Sequence, residues 1–291
     1  MTSPAFNAER NGRPFSKGGF EEIDLVGLRA VMDRSAGSSA VSIGLIDGPV
    51  ARHASFAQQP QVIGDSAGRA SDFASLHGTF VAGILGARRG SGAPGICPDC
   101  TLYSHPAFAA SPGSPFLNGQ ALSRAIRDCV GAGVKVINLS LTVYRPSAES
   151  ESSLRDALDL AAHKGVIVVA AAGNQASVSA TVITRHPWVI PVAGCDPQGR
   201  PSTGTNLGLS IGRRGLRAPG EQVTSLALTG TTVLNGTSVA APFVTGAIAL
   251  LWSEFPRASA QALKLAILRA ERRSSISPPL LNGLESLKLL H

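Results

Sequence analysis

The segment that decides the fold and chemistry of this chain reads NGTSVAAP at residues 235–242 and continues into the apolar run FVTGAIALLW at 243–252. Gly236 indicates a turn, and the small and apolar residues after it predict a helix. Ser238 is therefore expected at the start of that helix, near backbone N–H groups without a helical partner. Pro242 is expected near the same start, where a missing N–H is best tolerated. Taken alone, such a segment is typical of an ordinary helix cap.

Two further segments carry a carboxylate and an imidazole. The first, VSIGLIDGP at 41–49, predicts a short buried strand that ends at Asp47 before a Gly-Pro turn signal. Open α/β sheets place their chemistry at the carboxyl ends of such strands. The second, HGTFVAGI at 77–84, has small residues at helical spacing. It predicts a helix close to the sheet, with His77 in its first turn. Each residue alone is more typical of a structural role.

The rest of the chain alternates between helical and strand patterns. The patterns predict helices at Gln120–Val130 and Glu149–His163 and strands at Lys135–Leu141, Val166–Ala172 and Trp188–Gly194. This alternation predicts an α/β fold with three layers, α/β/α, around a mostly parallel central sheet. With 291 residues, of which 44% are hydrophobic, the chain can bury a large core.

Asp47, His77 and Ser238 follow one another in the chain order of the subtilisin catalytic residues. The chain resembles the subtilisin-like serine proteases, or subtilases, and the resemblance runs from Leu28 to Leu287. The resemblance implies that Ser238 is the nucleophile, His77 its general base and Asp47 the group that orients the imidazole. It implies a domain boundary as well, with residues 1–40 as an N-terminal extension and 41–291 as the peptidase domain.

Further motifs support the resemblance and imply the rest of the site. They read VINLSL at 136–141, VVAAAGN at 168–174, TNLG at 205–208, APG at 218–220 and LNGLESL at 281–287. Carried over from the family, Asn174 and the N–H of Ser238 form the oxyanion hole. The peptide substrate is expected between two extended edges. The residues implied for substrate binding are Asn118, Gly119, Ser140, Leu141, Thr142, Ala171, Ala172 and Gly173.

Within the family, the chain is most similar to the proteases that mature cyanobactin-type ribosomal peptides. The similarity rests on IDGPV at 46–50 and on the leading segment from Asp24 to Gly37. It implies hydrolysis of a precursor peptide. Two alternatives remain open from the sequence, a catalytically silent peptide-binding module and an acyl-transferase or transpeptidase with the same triad.

Composition argues against other classes of partner. The formal net charge is +7, but the basic residues are scattered in pairs and only 5% of residues are aromatic, which argues against nucleic-acid binding. No stretch approaches the ~20 apolar residues of a membrane span. The first 20 residues lack the apolar core of a signal peptide, so a cytoplasmic protein is expected. The sequence does not define an oligomeric state.

No cofactor or metal is expected. The stretch between His77 and Tyr103 has few carboxylates, whereas calcium requires six to eight oxygen ligands. Cys97 and Cys100 form a C-x-x-C pair, but no second pair or histidine cluster completes a zinc site. Free thiols are the expected state of this pair, with a local disulfide as the alternative.

Overall fold

Helices and strands alternate along residues 21–64, 71–107, 119–141, 147–273 and 276–291, which the computed structural model describes. The helices there are α1 (Glu21–Leu25), α2 (Arg29–Met32), α3 (Asp72–Gly86), α4 (Gly119–Gly131), α5 (Ala148–His163), α6 (Val182–Arg185), α7 (Leu209–Arg214), α8 (Thr237–Glu254), α9 (Ala260–Arg269) and α10 (Gly283–Lys288). The strands are β1 (Ser42–Asp47), β2 (Gln61–Val62), β3 (Thr101–Pro106), β4 (Val136–Leu139), β5 (Ile167–Ala171), β6 (Val189–Cys195), β7 (Leu216–Pro219), β8 (Val223–Leu226) and β9 (Thr231–Leu234). The predicted helices and strands correspond to α4, β4, α5, β5 and β6, and their ends differ by at most two residues.

Seven strands form one sheet in the order β2-β3-β1-β4-β5-β6-β7, and each neighbouring pair is parallel. β8 and β9 form a separate antiparallel pair. The predicted α/β fold with a mostly parallel sheet is therefore confirmed. The strand order reverses at β1, and Asp47 is the last residue of that strand, opposite Pro106 of β3. Such a reversal opens a crevice beyond the strand ends, where α/β folds bind their ligands.

Two apolar cores cover the two faces of the sheet. Side chains alternate along β5, so that Ile167 and Val169 face the core that contains α8, whereas Val168 and Ala170 face the core beneath α4 and α5. α8 is buried from Thr237 to Trp252, because it lies under the sheet rather than at the surface. The predicted three-layer α/β/α architecture follows from this arrangement. None of the described helices is long and apolar enough to cross a bilayer.

Residues 21–40 pack into the core that contains α8. Their buried apolar side chains are Ile23, Val26, Leu28, Val31 and Met32. Arg89 donates hydrogen bonds to the carbonyls of Met32 and Ser35, and the N–H of Gly283 donates to the carbonyl of Val26 at 2.8 Å. This segment therefore shares the main core with the chain that follows it, and the domain boundary at residue 40 stays a prediction.

Candidate active site

Asp47 and His77 meet at the carboxyl end of β1. The Oδ1 atom of Asp47 lies 2.7 Å from Nδ1 of His77 and accepts the N–H of Gly48 at 2.6 Å. The Asp47 side chain is fully buried, and its second oxygen has no hydrogen-bond partner among the described residues. A carboxylate only accepts hydrogen bonds, so the Nδ1 atom of His77 carries the proton. This tautomer leaves Nε2 of neutral His77 as an acceptor.

His77 lies in the second turn of α3, and not in the first as the sequence predicted. The helix begins at Asp72 because the side chain of Ser71 accepts the N–H of Ala74 at 3.1 Å and caps it. The prediction was wrong because it rested on the motif that begins at His77, whereas the residue that caps the helix lies six positions earlier.

A contact between two glycines holds α3 against the chain that follows β1. A Cβ atom on Gly78 would lie 2.2 Å from the carbonyl oxygen of Gly48, and one on Gly48 would lie 1.9 Å from the carbonyl oxygen of Ala74. No side chain fits at either position without moving backbone atoms. The two glycines therefore allow the approach that brings the His77 imidazole within reach of Asp47.

Ser238 is the second residue of α8, as the sequence predicted. Its Oγ lies 2.9 Å from Nε2 of His77, and the residue is 8% exposed. Gly236 caps the helix with a φ of +134°, a value that favours glycine. The N–H of Ser238 is among the first four of the helix, which have no carbonyl partner within it. Pro242 lies in the second turn of α8, later than expected.

The pKa of His77 is set by two opposing effects. Burial disfavours the charged imidazolium, whereas the charge of Asp47 and the hydrogen bond to it favour that form. The favourable effects prevail, so the pKa of His77 is raised above its ordinary value. The group remains able to accept a proton near neutral pH, as a general base requires.

Asn174 presents its amide beside Ser238. Its Oδ1 accepts the N–H of Thr237 at 2.9 Å, so Nδ2 points away from that N–H. A Cβ on Gly236 would lie 3.1 Å from this Nδ2 and 3.5 Å from Oγ of Ser238, so both atoms border the space that the glycine leaves open. Asn174 is exposed, so a substrate can reach its amide. The arrangement supplies a side-chain donor next to the candidate nucleophile.

Two positioning residues were not identified from the sequence. The hydroxyl of Thr237 accepts the N–H of Gly173 at 3.1 Å, which completes a reciprocal pair with the bond to Asn174. Asn206 is buried and donates to the carbonyl of Ala172 at 3.1 Å, while its Oδ1 accepts the N–H of Gln175 at 3.0 Å. Asn206 belongs to the TNLG motif at 205–208, and this motif could have indicated that the residue supports the site. Its role depends on contacts between distant segments.

The residues implied for substrate binding are only partly described. Asn118 and Thr142 lie outside the described residues. Gly119 is the buried first residue of α4, so it is helical and does not form an extended edge. Its backbone packs against the side chains of Ser150 and Leu154. Its helical conformation was missed because the predicted helix began one residue later.

The other implied segments lie at the ends of β4 and β5. Sheet pairing of β4 ends at Leu139, and Ser140 and Leu141 continue beyond it. Ala171 and Ala172 are buried at the end of β5. Gly173 has a φ of +103°, and a Cβ there would lie 2.4 Å from Nδ2 of Asn206. A side chain at position 173 would therefore meet Asn206, and substrate binding at Gly173 stays a prediction.

No group of three or more histidine, cysteine or acidic residues within the described ranges could hold a metal ion. Cys97, Cys100, Cys129 and Cys195 are buried and form no disulfide in the described part of the chain. Burial raises the pKa of Cys129 and of Cys195 to about 12. These two thiols stay protonated at neutral pH and are poor nucleophiles.

The family model described as the subtilase family matches residues 38–283. The chain belongs to the subtilase family. This subtilase is 32% identical to subtilisin DY of Bacillus licheniformis, over 65% of this chain and 67% of that protein. It is 31% identical to mycosin-4 of Mycobacterium tuberculosis, over 75% of this chain and only 57% of that protein. The expected class, a subtilisin-like serine protease, is thereby confirmed.

Solved structures add a more specific likeness. The patellamide maturation protease PatA is 30% identical with a TM-score of 0.78, and the match covers 87% of this chain and 98% of that chain. The prenylagaramide maturation protease PagA is 29% identical with a TM-score of 0.79, with 91% and 99% covered. The PatG macrocyclase domain, at 20% identity and a TM-score of 0.80, shares the fold. The expected similarity to peptide-maturation proteases is confirmed.

Proposed function

We propose that this subtilase is an endopeptidase in which Ser238 is the nucleophile, His77 the general base and Asp47 the orienting carboxylate. The observation that carries this proposal is the position of one imidazole between the other two groups. Its Nδ1 lies 2.7 Å from Asp47 and its Nε2 lies 2.9 Å from the hydroxyl of Ser238. Both distances are within hydrogen-bond reach, as activation of a serine requires.

Proton transfers follow from this geometry. As Oγ of Ser238 bonds to the scissile carbonyl carbon, Nε2 of His77 accepts the hydroxyl proton and then donates it to the leaving amine. Asp47 stabilises the imidazolium that forms in between. A water molecule then attacks the acyl carbon while Nε2 of His77 accepts one of its protons. The bond from that carbon to Oγ of Ser238 breaks, His77 returns the proton to Oγ, and the carboxylic acid product leaves.

The negative charge of the tetrahedral intermediate needs donors that already point at it. Nδ2 of Asn174 borders the space left open by Gly236, and the N–H of Ser238 has no carbonyl partner within the helix. These two groups are the proposed donors. The bond from Thr237 to Asn174 holds the amide in the orientation that presents Nδ2. Little reorganisation is then needed when charge develops.

The proposed substrate is a peptide held in extended form, and specifically a precursor peptide cleaved during its maturation. Support comes from the likeness to PatA and PagA, which are a patellamide and a prenylagaramide maturation protease. The segment from Ser140 to Thr142 is proposed as one edge and the chain near Asn118 as the other. Ala171 and Ala172 carry no charge, so an uncharged residue is proposed before the scissile bond.

A fluorophosphonate probe and a peptide library test the function together. Ser238→Ala should remain folded, should not be labelled, and should cleave about 10⁶-fold more slowly than the parent. A folded parent that binds peptides but resists the probe would instead be a silent binding module. A labelled parent that joins its acyl group to an added amine in preference to water would be a transferase.

A further inference from the structure

A tight turn brings Cys97 and Cys100 together in the chain between α3 and β3. The N–H of Cys100 donates to the carbonyl of Cys97 at 3.0 Å, which closes a turn with Pro98 and Asp99 at its centre. Proline favours the second position of such a turn, and the Cα atoms at its two ends lie less than about 7 Å apart. Disulfides join residues whose Cα atoms are about 4.4–6.8 Å apart. The backbone therefore holds the two cysteines at a separation that a disulfide can span.

The side chains of both cysteines lie on one side of this turn, against Gly37. A Cβ atom on Gly37 would lie 2.6 Å from Sγ of Cys100 and 3.4 Å from Cβ of Cys97. Gly37 has a φ of +97°, so its backbone conformation also favours glycine. The two cysteine side chains therefore converge rather than point apart, as a bond between their sulfurs requires.

The two thiols of this pair differ in how readily they lose a proton. The interaction with Cys100, together with burial, raises the pKa of Cys97 well above its ordinary value. The interaction with Cys97 outweighs burial at Cys100 and lowers the pKa of that thiol. Since a thiolate rather than a thiol attacks a disulfide, Cys100 is the better attacking group. Cys129 and Cys195, with pKa values raised to about 12 by burial, are poor ones.

The tip of the turn lies at the protein surface. Asp99 is exposed, whereas Cys97 is 0% and Cys100 1% exposed. The N–H of Asp99 donates to the carbonyl of Ala36 at 2.9 Å, which ties the tip to the segment before β1. Because the sulfurs lie directly beneath an exposed residue, a local opening of this turn is sufficient to expose them, without global unfolding.

We propose that Cys97 and Cys100 form a site of reversible thiol–disulfide exchange with a small-molecule disulfide such as oxidised glutathione. The thiolate of Cys100 attacks one sulfur of the oxidant, forms a mixed disulfide and releases the first glutathione thiolate. The thiolate of Cys97 then attacks Sγ of Cys100, which forms the internal disulfide and releases the second glutathione thiolate. The cysteines lose two electrons and two protons, and the oxidant gains them as two glutathione thiols. This chemistry does not involve the proposed triad.

The test uses the folded parent protein with oxidised glutathione and without denaturant. After acid quenching, the remaining thiols are alkylated under denaturing conditions and assigned by peptide mass mapping. Two of the four thiols should be lost. The peptide that contains both Cys97 and Cys100 should be lighter by two hydrogen atoms and carry no glutathione. Cys129 and Cys195 should be alkylated, and dithiothreitol should restore all four thiols.

Single substitutions assign the role of each sulfur. Cys97→Ser removes the thiol that resolves the mixed disulfide, so this variant should retain one glutathione on Cys100. Cys100→Ser removes the attacking thiol and should keep its three thiols unmodified. Cys129→Ala is the control and should lose two thiols, as the parent does.

The parent experiment decides the proposal even where a serine variant does not fold. Four unmodified thiols in the folded parent would overturn it. Loss of the Cys129 and Cys195 thiols as fast as that of the pair would overturn it as well, because the reaction would then follow from global unfolding.

Discussion

The hydroxyl of Ser140 donates a hydrogen bond to the backbone carbonyl of Ser238 at 2.8 Å. In an uninterrupted helix that carbonyl would accept the N–H four residues later, at Pro242, which has none. Ser140 is in turn held by Nδ2 of Asn138 at 2.7 Å, and Oδ1 of Asn138 accepts the hydroxyl of Thr245 at 2.8 Å. The end of β4 thus supplies the donor that the helix of the nucleophile lacks.

Replacement of Ser140 by alanine should destabilise the protein through this carbonyl. Ser140→Ala leaves a buried acceptor without its donor, which costs about 1–3 kcal/mol of unfolding free energy. Pro242→Ala restores an N–H at the correct position, so the same substitution should cost less in that background. Denaturant unfolding of the parent, the two single variants and the double variant gives the coupling energy between Ser140 and Pro242. Equal costs in both backgrounds would show that Ser140 does not replace the missing donor.

Replacement of Gly78 by alanine tests the contact that brings α3 to β1. The new Cβ would lie 2.2 Å from the carbonyl oxygen of Gly48, so backbone must move, at a cost of about 1–3 kcal/mol. Displacement of α3 should also weaken the contact of His77 with Asp47 and reduce kcat. Gly131→Ala, at the end of α4, meets no neighbouring atom within 4 Å and is the matched control. That control should be neutral or slightly stabilising. A Gly78→Ala variant with parental stability and kcat would contradict the role of this contact.

Removal of the side-chain amide of Asn174 should destabilise the transition state and so lower kcat. Asn174→Ala is expected to lower kcat about 10²–10³-fold with little change in KM, because the lost donor faces charge that develops only during reaction. Asn174→Asp keeps an acceptor for the N–H of Thr237 but loses the donor, so it should be at least as slow. Steady-state kinetics on one peptide measure both. An Asp variant that retained the parental kcat would exclude Asn174 from the oxyanion hole.

Activity should rise with pH as His77 loses its proton. Below its pKa the imidazolium cannot accept the proton of Ser238, and above it the neutral ring can. The raised pKa of His77 places the midpoint of kcat/KM above the ~6.5 of an ordinary histidine. Asp47→Asn removes the charge that raises the pKa, so it should move the midpoint to lower pH and reduce kcat by about 10⁴. A profile that is flat from roughly pH 5 to 8 would argue against a histidine base.

Local sequence patterns were sufficient to predict much of the fold. Alternation of strands and helices predicted the parallel sheet, because a buried strand and an amphipathic helix each have a period visible in a short window. The same reasoning placed Asp47 at a strand end and Ser238 at a helix start. The residues of the proposed triad were identified by their order along the chain.

What the tertiary structure decided depends on contacts between distant segments. His77 is 30 residues from Asp47 and 161 residues from Ser238, and no local period encodes those distances. The first turn of α3 was missed because Ser71, which caps the helix, lies before the motif from which the helix was predicted. Packing likewise decided the close approach of Gly48 and Gly78. It also placed Ser140 where its hydroxyl supplies the hydrogen bond that Pro242 cannot donate. The sequence determined which groups are present and on which elements they lie, whereas only the folded chain determined their distances and orientations.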